Sequence, residues 1–98
     1  MKLRAYEKPL PKRQRLLLQD LETHDLYVTP KDANYLVNRE NGARINWPSA
    51  LTLWAIREGY VERQPERETE PGEKWYTLSE TGKQRLAYDR EVRGADQG

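Results

Sequence analysis

The stretches EGYV at residues 58–61 and WYTLSETG at residues 75–82 decide the fold of this chain. In the first, Gly59 follows an apolar helical pattern and is followed at once by strand-forming residues. This order predicts a helix that stops at a left-handed glycine and leads into a strand. In the second, alternating apolar residues end at Ser79, which predicts a returning strand that runs into the N-cap of another helix. Together they predict a helix, a hairpin with a long tip and a further helix.

The helix before Gly59 begins near Trp47-Pro48 and ends at Glu58. Leu51, Trp54 and Ala55 recur at positions i, i+3 and i+4, which predicts that they form its buried side. The opposite face then consists of Ser49, Ala50, Thr52, Leu53, Ile56 and Arg57.

Upstream, residues 11–23 are predicted to form a first helix, whose apolar face is Leu17, Leu18 and Leu21. Residues 26–28 (LYV) are short, and we expect them to add a third strand beside the later hairpin. Thr29-Pro30 is typical of a helix start, because a hydroxyl N-cap precedes a proline at the first helical position.

This second helix would direct Ala33, Leu36 and Val37 inward, and Asn41-Gly42 would then turn the chain. Downstream of the hairpin, Tyr76 and Leu78 share one strand face by the period of two, and we expect that face to be buried. Gly82 falls in the first turn of the last helix, where a missing side chain allows close packing against the sheet.

The composition is that of one small domain. The 98 residues are 36% hydrophobic and 34% charged, with three Trp, six Tyr and no Cys. No apolar run approaches the roughly 18 residues that cross a bilayer, and the lack of Cys suits the cytoplasm. We predict a basic flexible arm at 1–10, the domain at 11–92 and a disordered tail at 93–98.

The span from about Leu10 to Tyr88 resembles the winged helix-turn-helix family in its order of helices and hairpin. The resemblance implies an α+β fold with a three-helix core, a β-hairpin wing, a further short strand and a C-terminal helix. It also implies a non-catalytic double-stranded DNA-binding protein, a small transcriptional regulator, with the 48–58 helix in the major groove.

On this resemblance, the residues that face the groove are Asn46, Ser49, Ala50, Thr52 and Leu53. Phosphates would be contacted by Arg39, Arg44 and Arg57. The basic arm, continued by Lys12 and Arg13, would follow the DNA backbone or enter a minor groove.

The charge distribution constrains this interpretation. Residues 1–18 contain six bases and one acid, whereas residues 62–74 contain three bases and five acids. Because carboxylates are repelled by phosphates, we expect the acidic wing to point away from DNA or to contact protein. The alternative function is therefore a protein-interaction module that uses the acidic wing with exposed Leu53 and Ile56.

Two further expectations complete the sequence-based interpretation. His24 is the only histidine, so no nucleophile–base pair or ligand cluster is evident, and we expect no catalytic residue, metal or cofactor. The last helix carries Leu86, Ala87 and Val92 on one side, which would either pair in a homodimer or cover its own core.

Overall fold

The computed structural model describes the backbone of residues 8–97 and the side chains of residues 8–93. Five strands form one antiparallel sheet in the order β3-β2-β1-β5-β4. The fold is α+β, as predicted. In chain order the elements are α1 (Lys12–Asp20), β1 (His24–Val28), β2 (Asn34–Asn38), β3 (Arg44–Ile45), α2 (Ser49–Arg57), β4 (Val61–Arg63), a short 3₁₀ helix (Pro65–Arg67), β5 (Lys74–Leu78) and α3 (Glu80–Gln97).

The two faces of the sheet have different roles. Leu26 of β1 pairs with Leu36 of β2 and Tyr76 of β5, and these side chains pack with leucines of α1 and α3 in the hydrophobic core. The intervening residues point the other way because side chains alternate along a strand. That second side, which we call the open face, carries Asp25, Tyr27, Tyr35, Val37, Arg44, Trp75 and Thr77.

The stretches that decided the fold take the predicted conformations. Pro48 and Glu58 flank α2, and Gly59 has a φ of 76°, the left-handed region that favours glycine. The Ser79 hydroxyl accepts a hydrogen bond from the Gly82 amide at 3.0 Å, which caps α3. A Cβ on Gly82 would lie 2.3 Å from the carbonyl oxygen of Tyr60. The predicted close packing of this glycine is therefore confirmed.

The predicted second helix is wrong. Residues 34–38 form β2, which pairs along its whole length with β1. The Thr29 hydroxyl caps a turn instead of a helix, since it accepts from the amides of Lys31 and Ala33 at 3.2 and 3.1 Å. Asp32 takes a φ of 69° there, a conformation that Asp tolerates better than most residues. Of the three residues predicted to point inward, only Leu36 does so; Ala33 is exposed, and Val37 lies on the open face because side chains alternate along a strand.

The domain therefore has a β-hairpin in place of the second helix of the predicted three-helix core, and its sheet is larger than predicted. The predicted extra strand is central, because β1 lies between β2 and β5. Leu86 is 1% exposed and belongs to the core of this chain. The helix α3 continues past residue 92 to Gln97, and a disordered tail stays a prediction. Lys2 and Arg4 of the predicted arm lie outside the described residues.

Candidate nucleic-acid interface

One side of α2 is open to solvent along its whole length. Ser49, Ala50, Leu53 and Arg57 are exposed, and Asn46 is exposed just before the helix begins. Leu53, at 51% exposure, is the most exposed large apolar side chain among the described residues. We call these five residues the α2 face. All of them are among the predicted site residues.

Thr52 does not belong to this face, and its predicted outward orientation is wrong. It is 4% exposed, and its hydroxyl donates to the Ser49 carbonyl at 3.2 Å. Ile56 is also partly buried against the core. These residues are buried because the neighbouring β1–β2 hairpin covers this flank of α2. The side-chain amide of Asn34 donates to the Ser49 hydroxyl at 3.1 Å.

The start of α2 is fixed against α1. The Trp47 indole nitrogen donates to the Asp20 carboxylate at 3.1 Å, which ties the residue before Pro48 to the end of α1. The guanidinium of Arg13 lies 6.0 Å from the centre of a Trp47 ring. Arg13, with exposed Lys12 beside it, therefore lies close to the first turn of α2.

The other two predicted arginines lie on the open face. Arg39 makes an ion pair with Asp25 at 3.0 Å and donates to the carbonyls of Leu21 and Glu22 at 2.9 and 2.6 Å. These bonds give it a structural role at the end of α1. Arg44 stands over the ring of Tyr35 at 5.0 Å. The structure thus brings Arg13 and Arg57 to the α2 side and separates Arg39 and Arg44 from it.

The wing, residues 64–73, packs on the open face. Arg67 stacks 3.9 Å above Trp75 and pairs with the Asp25 carboxylate at 2.6 Å. Glu73 accepts a hydrogen bond from the Tyr27 hydroxyl at 3.0 Å. The segment that contains the acids therefore folds over the side of the sheet opposite to α2.

Two wing carboxylates are held in the ionised state. A bidentate hydrogen bond from Arg63 lowers the pKa of Glu68 to about 2. The backbone amide of Thr69 is the main cause that lowers the pKa of Glu73, and the Tyr27 hydroxyl adds to it. Both acids serve to fold the wing, since their oxygens bond within it and to the sheet.

Sequence reasoning missed two features. On the open face, Tyr35, Tyr27 and Trp75 are direct neighbours on three adjacent strands. In the sequence, each of these aromatic residues is next to a residue that points into the core, and this alternation is a signal that could have been used. The register that aligns them, however, depends on β2, which was predicted to be a helix.

The second missed feature is a groove of about 420 Å³ between α2 and the helix-covered side of the sheet. Leu53, Ile56, Val28 and Tyr76 give it an apolar lining. The Asn34 side-chain oxygen is buried beside it with no hydrogen-bond partner. An unpaired buried acceptor costs free energy, so this corner of the fold is less stable than a fully bonded one.

Three searches gave no positive result. Over residues 8–97 no helix is long and apolar enough to cross a bilayer. No three acidic or histidine side chains converge on a metal position in the described part of the chain. Comparison with protein families, with curated proteins and with solved structures finds no match to this chain.

Proposed function

We propose that this chain is a double-stranded DNA-binding protein, of the kind that serves in transcriptional regulation, and that it inserts α2 into the major groove. The observation that carries the proposal is the α2 face: a nine-residue helix whose outer side is unobstructed and lined by small or flexible side chains. A major groove about 12 Å wide admits a helix of this kind.

The chemistry of the α2 face suits base edges. Asn46 can pair with adenine, Ser49 can bond to either bases or phosphates, and Ala50 and Leu53 can meet a thymine methyl group. Ser49 and Ala50 lie in the first turn of α2, the end that a recognition helix directs at base edges.

The charges around α2 suit a phosphate backbone. Arg13 lies near the start of the helix and Arg57 at its last turn, so the two guanidiniums flank the face. The wing acids are on the other side of the sheet, where they do not oppose phosphates approaching α2.

The proposed relationship to winged helix-turn-helix proteins rests on α1, β1, α2 and the β4–β5 hairpin, which follow in that order. The β2–β3 hairpin stands where the second helix of that family is expected. This difference leaves α2 supported by a sheet edge on one flank and by α1 on the other.

Anisotropy titration of a labelled random-sequence duplex tests the proposal. We expect binding at low salt that weakens steeply between about 50 and 200 mM salt, since cations displace condensed counterions. Arg13→Glu with Arg57→Glu should reduce the affinity about tenfold or more and flatten the salt dependence. The control, Lys83→Glu with Arg90→Glu on α3, changes the net charge equally and should bind nearly as wild type does.

Two results would reject the proposal. One is the absence of duplex binding at micromolar protein in low salt. The other is an equal loss in both double variants, which would trace binding to net charge alone. Selection from a random duplex pool then tests sequence reading: Asn46→Ala and Ser49→Ala should shift the selected sequence, whereas Lys83→Ala should not.

A second candidate function, binding of an extended peptide segment, is favoured by the groove beside α2. Its apolar lining would accept an aliphatic side chain of the segment. The acidic wing does not join this groove, because it lies on the open face. Selection from a peptide library should return binders that Leu53→Glu loses and Arg57→Glu retains. Retention by both variants would exclude this groove.

A further inference from the structure

The open face carries a row of five side chains that runs across the strands: Arg44, Tyr35, Tyr27, Trp75 and Arg67. Tyr27 pairs in register with Tyr35 on one side and Trp75 on the other. Arg44 stands over Tyr35 at 5.0 Å, and Arg67 stands over Trp75 at 3.9 Å. Three aromatic rings are thus aligned between two guanidiniums.

The row lies outside the hydrophobic core. Tyr27, Tyr35 and Trp75 are half-buried, and none of them belongs to the cluster formed by the helices. The Tyr27 and Trp75 ring centres are 4.6 Å apart and their planes are tilted by 42°. The wing covers Trp75 through Arg67 and reaches the Tyr27 hydroxyl through Glu73.

In the middle of this region, exposed arginines lie over buried carboxylates. Asp25 and Glu73 are 5% and 7% exposed, and both are occupied by hydrogen bonds within the chain. The side chains of Arg39 and Arg67 that cover Asp25 are 41% and 38% exposed. Arg44 is exposed as well. Exposed acids border the region at Glu40 after β2, at Glu62 on the edge strand, and at Glu66 and Glu70 in the wing.

We propose that this row is a binding site for single-stranded nucleic acid, with unpaired bases stacked on Tyr35 and Tyr27 and phosphates held by Arg44 and Arg67. Aromatic side chains in a cationic groove are the general means of binding single strands, since every base has a stacking face. Paired bases in a duplex cannot reach such a platform, so the site is separate from the α2 face.

The dimensions agree with this ligand. Adjacent strands are about 4.8 Å apart, so the rings of three strands span about 10 Å, enough for two or three splayed nucleotides. A cleft of about 400 Å³ opens beside the row, lined by Tyr27, Val37, Arg44 and Trp75. Gly42 also lines it, so no side chain obstructs that part of the rim.

Anisotropy with labelled oligothymidylate and oligouridylate tests the proposal at low salt. Wild-type protein should bind both single strands, and Tyr35→Leu or Arg44→Glu should each weaken that binding about tenfold. Tyr35→Leu retains an apolar side chain on the strand, so its fold can be verified by thermal unfolding. Lys83→Glu is the control for the charge change and should leave single-strand binding unaltered.

Tryptophan fluorescence provides an independent measurement. Trp75 lies next to Tyr27, with 4.6 Å between the ring centres. A base of oligothymidylate stacked on Tyr27 should therefore quench the indole emission of the wild-type protein, and most of that quenching should be lost in Trp75→Phe. Retained quenching in this variant would locate the strand near Trp47 or Trp54 and overturn the proposal.

The outcome is separable from that of the duplex experiment. Arg13→Glu with Arg57→Glu should lose duplex binding and keep single-strand binding, whereas Arg44→Glu should do the reverse. Failure of any single strand to bind at micromolar protein, or undiminished binding by both Tyr35→Leu and Arg44→Glu, would overturn this site and leave the α2 proposal intact.

Discussion

The two faces of the sheet use the same strands in different ways. On the helix-covered face, Leu26 and Leu36 are almost completely buried among helical leucines. On the open face, their neighbours Tyr27 and Tyr35 are half-buried among arginines and the folded wing. One residue step along a strand therefore separates a packed apolar core from an amphipathic surface. The helix-covered face therefore stabilises the fold, and the open face carries the candidate single-strand site.

The largest expected effect compares neighbours on β2. Leu36→Ala should lower the free energy of unfolding by about 2–5 kcal/mol, because it leaves a cavity in the core. Tyr35→Ala removes a larger side chain, yet it should cost only about 1 kcal/mol, since it loses cross-strand contacts on an exposed surface. Urea unfolding of both variants measures the difference. Equal costs would mean that the open face is packed as tightly as the core.

The next effect concerns how closely α3 approaches the sheet. Gly82→Ala should destabilise the fold by about 1–3 kcal/mol, because the added carbon collides with the Tyr60 carbonyl, which already accepts from the Ser79 amide at 2.9 Å. Lys83→Ala, at the next and exposed position, should change the midpoint little. A neutral Gly82→Ala would contradict the close approach of α3 on the helix-covered side.

The parts of the fold that could be predicted from the sequence are those that local residue patterns determine. The helix at 49–57, the Gly59 stop, the β5 face and the Ser79 cap rest on local signals, and these predictions are confirmed. Residues 34–38 form a strand because they pair with β1, and local periodicity does not encode such a contact between strands. The Thr29 hydroxyl could cap either a helix or a turn, and tertiary pairing chose the turn.

The candidate site contains a further error. Thr52 was placed on the outer side of α2 because Leu51, Trp54 and Ala55 defined the buried side, whereas the β1–β2 hairpin buries it. The alternation along each strand could indicate an outward aromatic residue, but the alignment of these residues in one row requires the register of β1, β2 and β5. For Ser49 and Leu53, which the hairpin leaves exposed, the same helical periodicity gave the correct orientation.

A smaller effect concerns the ionic cluster on the open face. Asp25→Asn should cost about 1–2 kcal/mol, because it weakens the pairs with Arg39 and Arg67 at a nearly buried carboxylate. The cost stays modest since both guanidiniums can turn to water. Urea unfolding measures it, and the same change in an Arg67→Gln background should cost less. An undiminished cost there would show that the wing does not depend on this pair.

The smallest effect is a pH dependence confined to the wing. Because Arg63 lowers the pKa of Glu68 from 4.5 to about 2, the folded state favours its ionised form. The stabilisation is complete above pH 4.5 and disappears as the pH falls toward 2. The urea midpoints of wild type and Glu68→Gln should therefore differ at neutral pH and converge at the acid end. Glu66→Gln, which removes an exposed carboxylate from the same segment, is the matched control. A pH-independent difference for Glu68→Gln would indicate that Arg63 holds the wing through packing and not through charge.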